Sequence, residues 1–405
     1  MKINEQQQLF TKDRITTIVL VTICLSFQAL SLNGVALFLP DIRRELGLSF
    51  TEGGALSAAS LLTYAFIQVP AGYLADRIGS RKIFFIGALG LNIFSLIFGL
   101  TSSYWQGIGS QVMSGFFRAF LFVPSITILT SWFGPNRRAT ATALSSVGLF
   151  LSQLLVNSGG PPLANEFDWR FPFIVFSAGG ILVSFIYIRF AKEPPISTSH
   201  HTVNIHEMLS LFNIRFMWIC GGIQFVRYAI FQGISTWLPS LLIDEQGISL
   251  QITGIIMAVR ALVISPSQLL GGYISDKIRN PTLIIGLSLV ILLISTASIA
   301  RVGNNIPVLI AVIMINAIFV QFYFGPLFAL PVGRLGQHMS GTITGVSNFY
   351  ANLGGFTAVY ILGILKDISG TFASGFYFMA VLCIIGILLL IPLSRDKEKA
   401  SPDNH

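Results

Sequence analysis

The chain has 405 residues, of which 53% are hydrophobic and only 10% are charged, and its formal net charge is +8. Soluble domains carry about 25% charged residues, so this composition excludes an ordinary soluble protein. The basic residues form no stripe or aromatic-rich patch, which excludes a nucleic-acid partner. The three cysteines lie in apolar segments without metal-ligand spacing, so we expect no metal site and no cofactor.

Apolar segments long enough to cross a hydrocarbon core of about 30 Å recur along the whole chain. We predict twelve membrane-spanning helices, at roughly 15–40, 52–75, 82–101, 104–132, 139–163, 171–191, 215–240, 250–273, 281–300, 306–330, 340–363 and 372–394. When the N-terminus is placed in the cytoplasm, most Lys and Arg residues fall in cytoplasmic segments. The outer loops then hold only Arg43, Arg44, Arg170, Arg301 and Lys366. This bias predicts a multi-pass protein of the cell inner membrane with both termini in the cytoplasm.

Three arginines, Arg118, Arg227 and Arg260, fall near the middle of predicted helices four, seven and eight. All 17 Asp and Glu residues and all five His residues lie instead at segment ends, in loops or in the tails. A charge at bilayer depth costs at least ~2.5–3.5 kcal/mol on insertion scales, so such residues usually face a cavity. Guanidinium groups bind carboxylates and phosphates through paired hydrogen bonds, so the arginines predict an anionic ligand. The alternative is a packing role in which they bond to backbone carbonyls.

Residues at helical spacing extend these candidate cavity faces, and Gln224, Arg227, Tyr228 and Phe231 share one face of helix seven. Those that we select as further ligand contacts are Gln28 and Asn33 in helix one, Gln111 in helix four, Gln224 and Tyr228 in helix seven, Gln321 and Tyr323 in helix ten, and Asn348 in helix eleven. For the Gln and Asn residues, hydrogen bonds between helices are an equally open interpretation.

The loop between helices two and three is repeated about two hundred residues later. The chain reads Gly-Tyr-Leu-Ala-Asp-Arg from Gly72, and Gly-Tyr-Ile-Ser-Asp-Lys from Gly272. A third match pairs the segment that begins at Ala139 with the one that begins at Gly341. Matches at nearly one offset predict two six-helix bundles related by duplication. We place the bundles at 1–191 and 214–405, joined by a polar cytoplasmic linker at 192–213.

At this loop and its repeat, the chain resembles the major facilitator superfamily. The resemblance covers nearly the whole chain and implies an all-α membrane fold of twelve helices in two pseudo-symmetric six-helix bundles. It also implies transport by alternating access, not catalysis. The residues that it marks as gating candidates are Gly72, Asp76, Arg77, Gly79, Arg81, Arg138, Gly272 and Asp276. In physical terms, the glycines allow helices to approach closely, and Asp76 can pair with cytoplasmic arginines; a role in topology and capping alone is the alternative.

Smaller features resemble the organic-anion branch of that superfamily. They are Ser131-Trp132-Phe133 after helix four, Phe167-Asp168-Trp169-Arg170 before helix six, and the position of Arg227 twelve residues before Pro239.

Two departures from that branch affect proton coupling. Ser31 and Leu32 stand where the branch often has an Asp-Arg pair, and Arg118 stands where it has a proton-coupling glutamate. The carboxylate-based coupling of the branch therefore does not carry over, whereas its preference for anions does.

We expect a transporter of a small organic anion, such as a carboxylate, a polycarboxylate or a phosphorylated compound. Arg118 and Arg227 would clamp the anion between the bundles, with Arg260 as a third contact. The coupling ion is open. A proton would travel on the substrate or on a group at the membrane edge such as Glu52, and otherwise the protein is a uniporter or an anion exchanger. The alternatives are transport of a drug or siderophore, which would not depend on the arginines, and a sensor that has lost transport.

Overall fold

The computed structural model describes residues 2–133, 138–192, 210–303, 305–336 and 340–399, and within them it contains helices and turns but no strand. The all-α class is as predicted. The helices are α1 Lys2–Leu25, α2 Asn33–Leu46, α3 Phe50–Ile78, α4 Ser80–Gly99, α5 Tyr104–Arg118, α6 Phe122–Phe133, α7 Arg138–Glu166, α8 Arg170–Phe190, α9 Arg215–Ser240, α10 Leu250–Ile278, α11 Pro281–Ile299, α12 Ile306–Phe322, α13 Phe324–Leu335, α14 Ser340–Ser369 and α15 Ala373–Lys399.

Nine stretches of the described residues are long and apolar enough to cross a membrane, judged by length and composition. The remaining three predicted spans correspond to α3, α7 and α9, which have 29, 29 and 26 residues. Helices of this length exceed the roughly 20 residues that a bilayer core requires. Each predicted span therefore has a helical counterpart in the described part of the chain.

Three of the predicted spans are interrupted rather than continuous. A 3₁₀ turn, Gln28–Ser31, separates α1 from α2. The residues from Ala119 to Leu121 separate α5 from α6, and Tyr323 separates α12 from α13. The last two interruptions occupy matching places in the two halves of the chain.

Prolines account for these two matching interruptions. Pro124 and Pro326 each stand third in the new helix, where a missing N–H group is tolerated. A proline deprives the carbonyl four residues earlier of its intrahelical hydrogen bond, and those carbonyls belong to Phe120 and Phe322. The old helix therefore ends near that carbonyl, and the new one begins just before the proline.

The backbone preserves the internal repeat at two turns. Gly47 and Gly247 both have φ of 64°, and Gly79 with φ of 100° matches Arg279 with φ of 55°. The left-handed region favours glycine because other residues carry a Cβ. The second copy of the loop, which has Arg279 where the first has Gly79, therefore keeps the left-handed turn without a glycine.

Contacts divide the chain into two compact units. The first unit comprises Met1–Leu46 and Ala59–Thr202, and the second comprises Gly47–Ala58 and Val203–His405. The beginning of α3 belongs to the second unit because the Asp367 carboxylate caps it. Asp367 accepts from the backbone N–H groups of Phe50 at 3.0 Å and Thr51 at 2.6 Å, groups that lack partners within the helix.

Glu52, suggested above as a proton carrier at the membrane edge, takes part in a local capping box of α3. Its Oε2 accepts from the backbone N–H of Ser49 at 2.9 Å, and the hydroxyl of Ser49 accepts from the backbone N–H of Glu52 at 3.1 Å. This reciprocal arrangement is a common start of a helix.

Candidate functional site

Arg227 lies in the middle of α9 and is buried, with 2% of its surface exposed. Its Nε donates to Oε1 of Gln224 at 2.8 Å, and its Nη1 donates to Oε1 of Gln321 at 2.8 Å. The guanidinium carbon lies 4.9 Å from the ring centre of Phe324 and 5.6 Å from that of Tyr228. The structure thus brings together four of the predicted contact residues, Arg227, Gln224, Gln321 and Tyr228.

The interruption between α12 and α13 positions two of the groups around Arg227. Gln321 is in the last turn of α12, and Phe324 is the first residue of α13. Both contact Arg227, from either side of the interruption at Tyr323. Discontinuous helices with polar groups at the break are a recurrent way of building ligand sites in transporters.

Arg260 lies on α10, is 4% exposed, and contacts the same face of α9 further along that helix. Its Nη1 donates to the hydroxyl of Ser235 at 2.9 Å, and its guanidinium carbon lies 5.7 Å from the ring centre of Phe231. Gln224, Arg227, Phe231 and Ser235 recur at intervals of three and four residues, so they form one helical face. The sequence predicted this face as far as Phe231.

Close helix packing fixes this arrangement. A Cβ at Gly355 of α14 would lie 2.8 Å from the ring of Tyr228, and one at Gly354 would lie 2.2 Å from the carbonyl oxygen of Phe225. A Cβ at Gly271 of α10 would lie 1.7 Å from the carbonyl oxygen of Phe322. Gly271 therefore makes room for the carbonyl that Pro326 deprives of its helical hydrogen bond.

Several buried donors in the second unit have no hydrogen-bond partner among the described residues. They are Nε and Nη2 of Arg260, Nε2 of Gln224 and the hydroxyl of Tyr323. Buried polar groups in folded proteins are usually paired. A ligand with several hydrogen-bond acceptors could therefore bind here by accepting from these donors.

Arg118 is the last residue of α5, directly before the interruption that leads to α6, and it is 7% exposed. Its guanidinium carbon lies 4.2 Å from the ring centre of Tyr64 on α3. Gly115 allows α5 to approach α3, because a Cβ there would lie 2.3 Å from the carbonyl oxygen of Ser60. Gln111 lies two helical turns before Arg118 on the same side of α5. It is fully buried, and neither of its amide atoms has a partner among the described residues.

The remaining predicted contacts are half-buried and remain candidates by position. Gln28 begins the 3₁₀ turn, and Asn33 begins α2. Asn348 lies on α14, where its backbone carbonyl accepts from Asn352 at 2.8 Å.

The charged gating candidates divide into three groups. Arg81 donates from Nη2 to the carbonyl oxygen of Ile188 at 2.6 Å, at the C-terminal end of α8, where a cation is favourable. Arg77 and Asp276 are exposed. The side chains of Asp76 and Arg138 lie outside the described part of the structure.

The two motif glycines differ in their surroundings. No described atom of a neighbouring segment lies within 4 Å of a Cβ built at Gly72 or Gly272, but a Cβ built at Gly325 of α13 would lie 3.6 Å from the Cα of Gly272, so α10 and α13 approach closely there. Gly79, in contrast, has the positive φ that glycine adopts without strain.

Sequence reasoning missed three contacts of the arginines: Tyr64, Ser235 and Phe324. Ser235 could have been found, because it stands one turn beyond Phe231 on the predicted face. Tyr64 and Phe324 reach the arginines from other helices, and no spacing along the chain indicates that.

Comparison with known proteins establishes the family. The profile of the Major Facilitator Superfamily matches residues 20–359. The chain belongs to the Major Facilitator Superfamily. The resemblance that the loop motif suggested is therefore confirmed, and the protein is a multi-pass membrane transporter and not an enzyme.

Individual members of the superfamily match over nearly the full length. The D-galactonate transporter of Escherichia coli O6:H1 is 24% identical, with 95% of this chain and 96% of the relative covered. The hexuronate transporter of Bacillus subtilis is 22% identical, with 96% of each covered. A crystal structure of a bacterial homolog of the human lysosomal transporter Spinster has a TM-score of 0.81 at 19% identity, covering 97% of this chain and 99% of that one. This structural likeness confirms the twelve-helix fold.

Proposed function

We propose that the protein transports a small organic anion across the cell inner membrane by alternating access, with both termini in the cytoplasm. The substrate is a sugar acid or a similar hydroxylated carboxylate. The observation that carries the proposal is a pair of buried arginines, Arg227 on α9 and Arg260 on α10 against the same face of α9, whose hydrogen-bond partners are neutral.

Charge supports an anion rather than a neutral solute. Leaving a cation buried without a counter-charge is unfavourable, and a bound carboxylate would supply that charge. A guanidinium group presents donors in a planar fork that matches a carboxylate, so Arg260, with two unpaired donors, is well suited to receive it.

Neutral polar groups support a substrate with hydroxyls. Gln224, Gln321, Tyr228 and Tyr323 surround Arg227 with amide and phenol groups, which exchange hydrogen bonds with alcohols. The relatives named for D-galactonate and hexuronate agree with this chemistry, since both compounds combine a carboxylate with several hydroxyls.

The first unit contributes a further proposed contact, Arg118. We retain the division into bundles 1–191 and 214–405 with a linker at 192–213, and a gating role for the cytoplasmic loop motif, as parts of the same proposal. The mechanism requires no cofactor.

Ligand-induced stabilisation of the purified protein tests the proposal. D-galactonate, D-glucuronate and D-glucarate should raise the unfolding temperature, whereas D-galactose, which has hydroxyls but no carboxylate, should not. Stabilisation by D-galactose as large as that by D-galactonate would show that the buried arginines do not select an anion.

A further inference from the structure

Arg260 has one edge of its guanidinium plane that no described residue uses. Its Nη1 donates to the hydroxyl of Ser235 at 2.9 Å, whereas Nε and Nη2 are buried and have no hydrogen-bond partner among the described residues. Nε and Nη2 present two parallel N–H groups, which a carboxylate accepts with its two oxygens. Charged donors that are buried without a partner cost free energy, so this edge favours a ligand that brings a carboxylate to it.

Arg227 presents a different environment. Its Nε donates to Oε1 of Gln224 and its Nη1 donates to Oε1 of Gln321, both at 2.8 Å. These amides hold the guanidinium group in place but supply no negative charge. The Nε2 group of Gln224 is buried and has no partner among the described residues, so it can donate to a hydroxyl. Arg227 is therefore suited to a carboxylate that has a hydroxyl beside it.

The two arginines contact α9 at different levels. Arg227 donates to Gln224. The guanidinium carbon of Arg260 lies 5.7 Å from the ring centre of Phe231, seven residues further along the helix. A rise of 1.5 Å per residue places these two contacts about 10 Å apart along α9. Hydrogen bonds to a carboxylate are about 2.7–2.9 Å long, so one carboxylate cannot bond to both guanidinium groups.

The length of a six-carbon sugar diacid matches this separation. Five C–C bonds of about 1.5 Å in an extended chain separate its two carboxyl carbons by about 6 Å. Hydrogen bonds of about 2.7–2.9 Å at each end add to this length. An extended or moderately bent chain therefore brings one carboxylate to each arginine.

We propose that the site binds two acidic groups at once and that Arg260 makes it select dicarboxylates over monocarboxylates. The inference rests on the proposed function and narrows its substrate class to six-carbon sugar diacids. One carboxylate, with its neighbouring hydroxyl, binds at Arg227, and the other accepts from Nε and Nη2 of Arg260. A monoacid such as D-galactonate brings a CH2OH group to Arg260 instead, and this group supplies one oxygen and no charge.

Galactarate and D-galactonate form a matched pair of probes, because they differ only at C6, which is a carboxylate in the first and CH2OH in the second. Calorimetry on the purified full-length protein at about pH 7, where carboxyl groups are ionised, gives Kd for each. We expect galactarate to bind at least about tenfold tighter than D-galactonate, which corresponds to the lower end of what a close charge pair contributes in an interface.

Variants of Arg260 test the assignment. In Arg260→Gln, the affinity for galactarate should fall at least about tenfold, whereas that for D-galactonate should change less than about threefold. A purely structural role of Arg260 would weaken both ligands alike. Arg260→Lys keeps the charge but not the paired donors, so the advantage of galactarate should be smaller than in the unaltered protein. Arg334→Gln changes an exposed arginine of the same unit and should leave both affinities unaltered.

The outcomes separate this inference from the proposed function. If D-galactonate binds as tightly as galactarate, the function stands and the dicarboxylate inference is wrong. If neither probe binds, the function fails and the inference with it. An unchanged advantage of galactarate in a folded Arg260→Gln protein would contradict the role of Arg260. If that variant does not fold, Arg260→Lys takes its place, and there the full advantage of galactarate would contradict the role of the paired donors.

Discussion

Replacing Arg227 by Gln removes a buried charge without removing an ion pair. The side chain is 2% exposed, and its two hydrogen-bond partners are the neutral amides of Gln224 and Gln321. The ligand-free variant should therefore be at least as stable as the unaltered protein, because a buried uncompensated charge is unfavourable. Binding should suffer instead, since the variant lacks the charge that a carboxylate needs.

The size of the loss follows from the burial of the pair. Truncating one partner of a desolvated charge pair costs roughly 2–5 kcal/mol, so Kd should rise by a factor of about 30 or more. At a ligand concentration of about 100 times the original Kd, binding stabilises the unaltered protein by ~2.7 kcal/mol. At the same concentration, the variant should gain about 0.9 kcal/mol or less.

Thermal unfolding with and without D-galactonate measures both quantities, and calorimetry gives Kd directly. Arg334→Gln is the matched control, because Arg334 is an exposed arginine of the second unit and should bind as the unaltered protein does. An Arg227→Gln protein that is folded and retains a Kd within about threefold of the original would refute the reasoning, since that is under 1 kcal/mol.

Three further predictions concern other positions. Arg118→Gln should weaken D-galactonate binding by roughly 2–5 kcal/mol while the protein stays folded, as calorimetry would show; an unchanged affinity would remove Arg118 from the site. Asp76→Asn should slow transport in liposomes more than it weakens binding, and a collapse of the binding constant with unchanged turnover would contradict a gating role. Gly271→Ala should destabilise the protein by about 1–3 kcal/mol or more, because its Cβ would lie 1.7 Å from the carbonyl oxygen of Phe322. Gly272→Ala is the control and should not destabilise it, because no described atom of a neighbouring segment lies within 4 Å of the added Cβ. Equal unfolding temperatures for the two variants would argue against this packing.

The spans and the burial of the three arginines could be predicted because both depend on composition along the chain. Apolar length defines a membrane helix, and a lone arginine within it stands out without any knowledge of its neighbours. The face of α9 from Gln224 to Phe231 was also predictable, since residues three and four apart share a helical face.

The interruptions in the helices were missed, although the signal was present. Pro124 and Pro326 indicate a break four residues upstream, but apolar length alone treated each span as continuous. Contacts from other helices, such as Tyr64 beside Arg118 and Phe324 beside Arg227, could not be predicted, because they depend on how helices distant in sequence pack.

The central claim is that the guanidinium groups of Arg227 and Arg260 bind the carboxylate of the substrate. A high-resolution structure with D-galactonate bound tests it most directly. We predict carboxylate oxygens about 2.7–2.9 Å from a nitrogen of Arg227 or Arg260, and hydroxyls of the sugar acid within hydrogen-bond distance of Gln224 or Gln321. Ligand density elsewhere, with Arg227 still bonded to Gln224 and Gln321 and Arg260 still bonded to Ser235, would contradict the account.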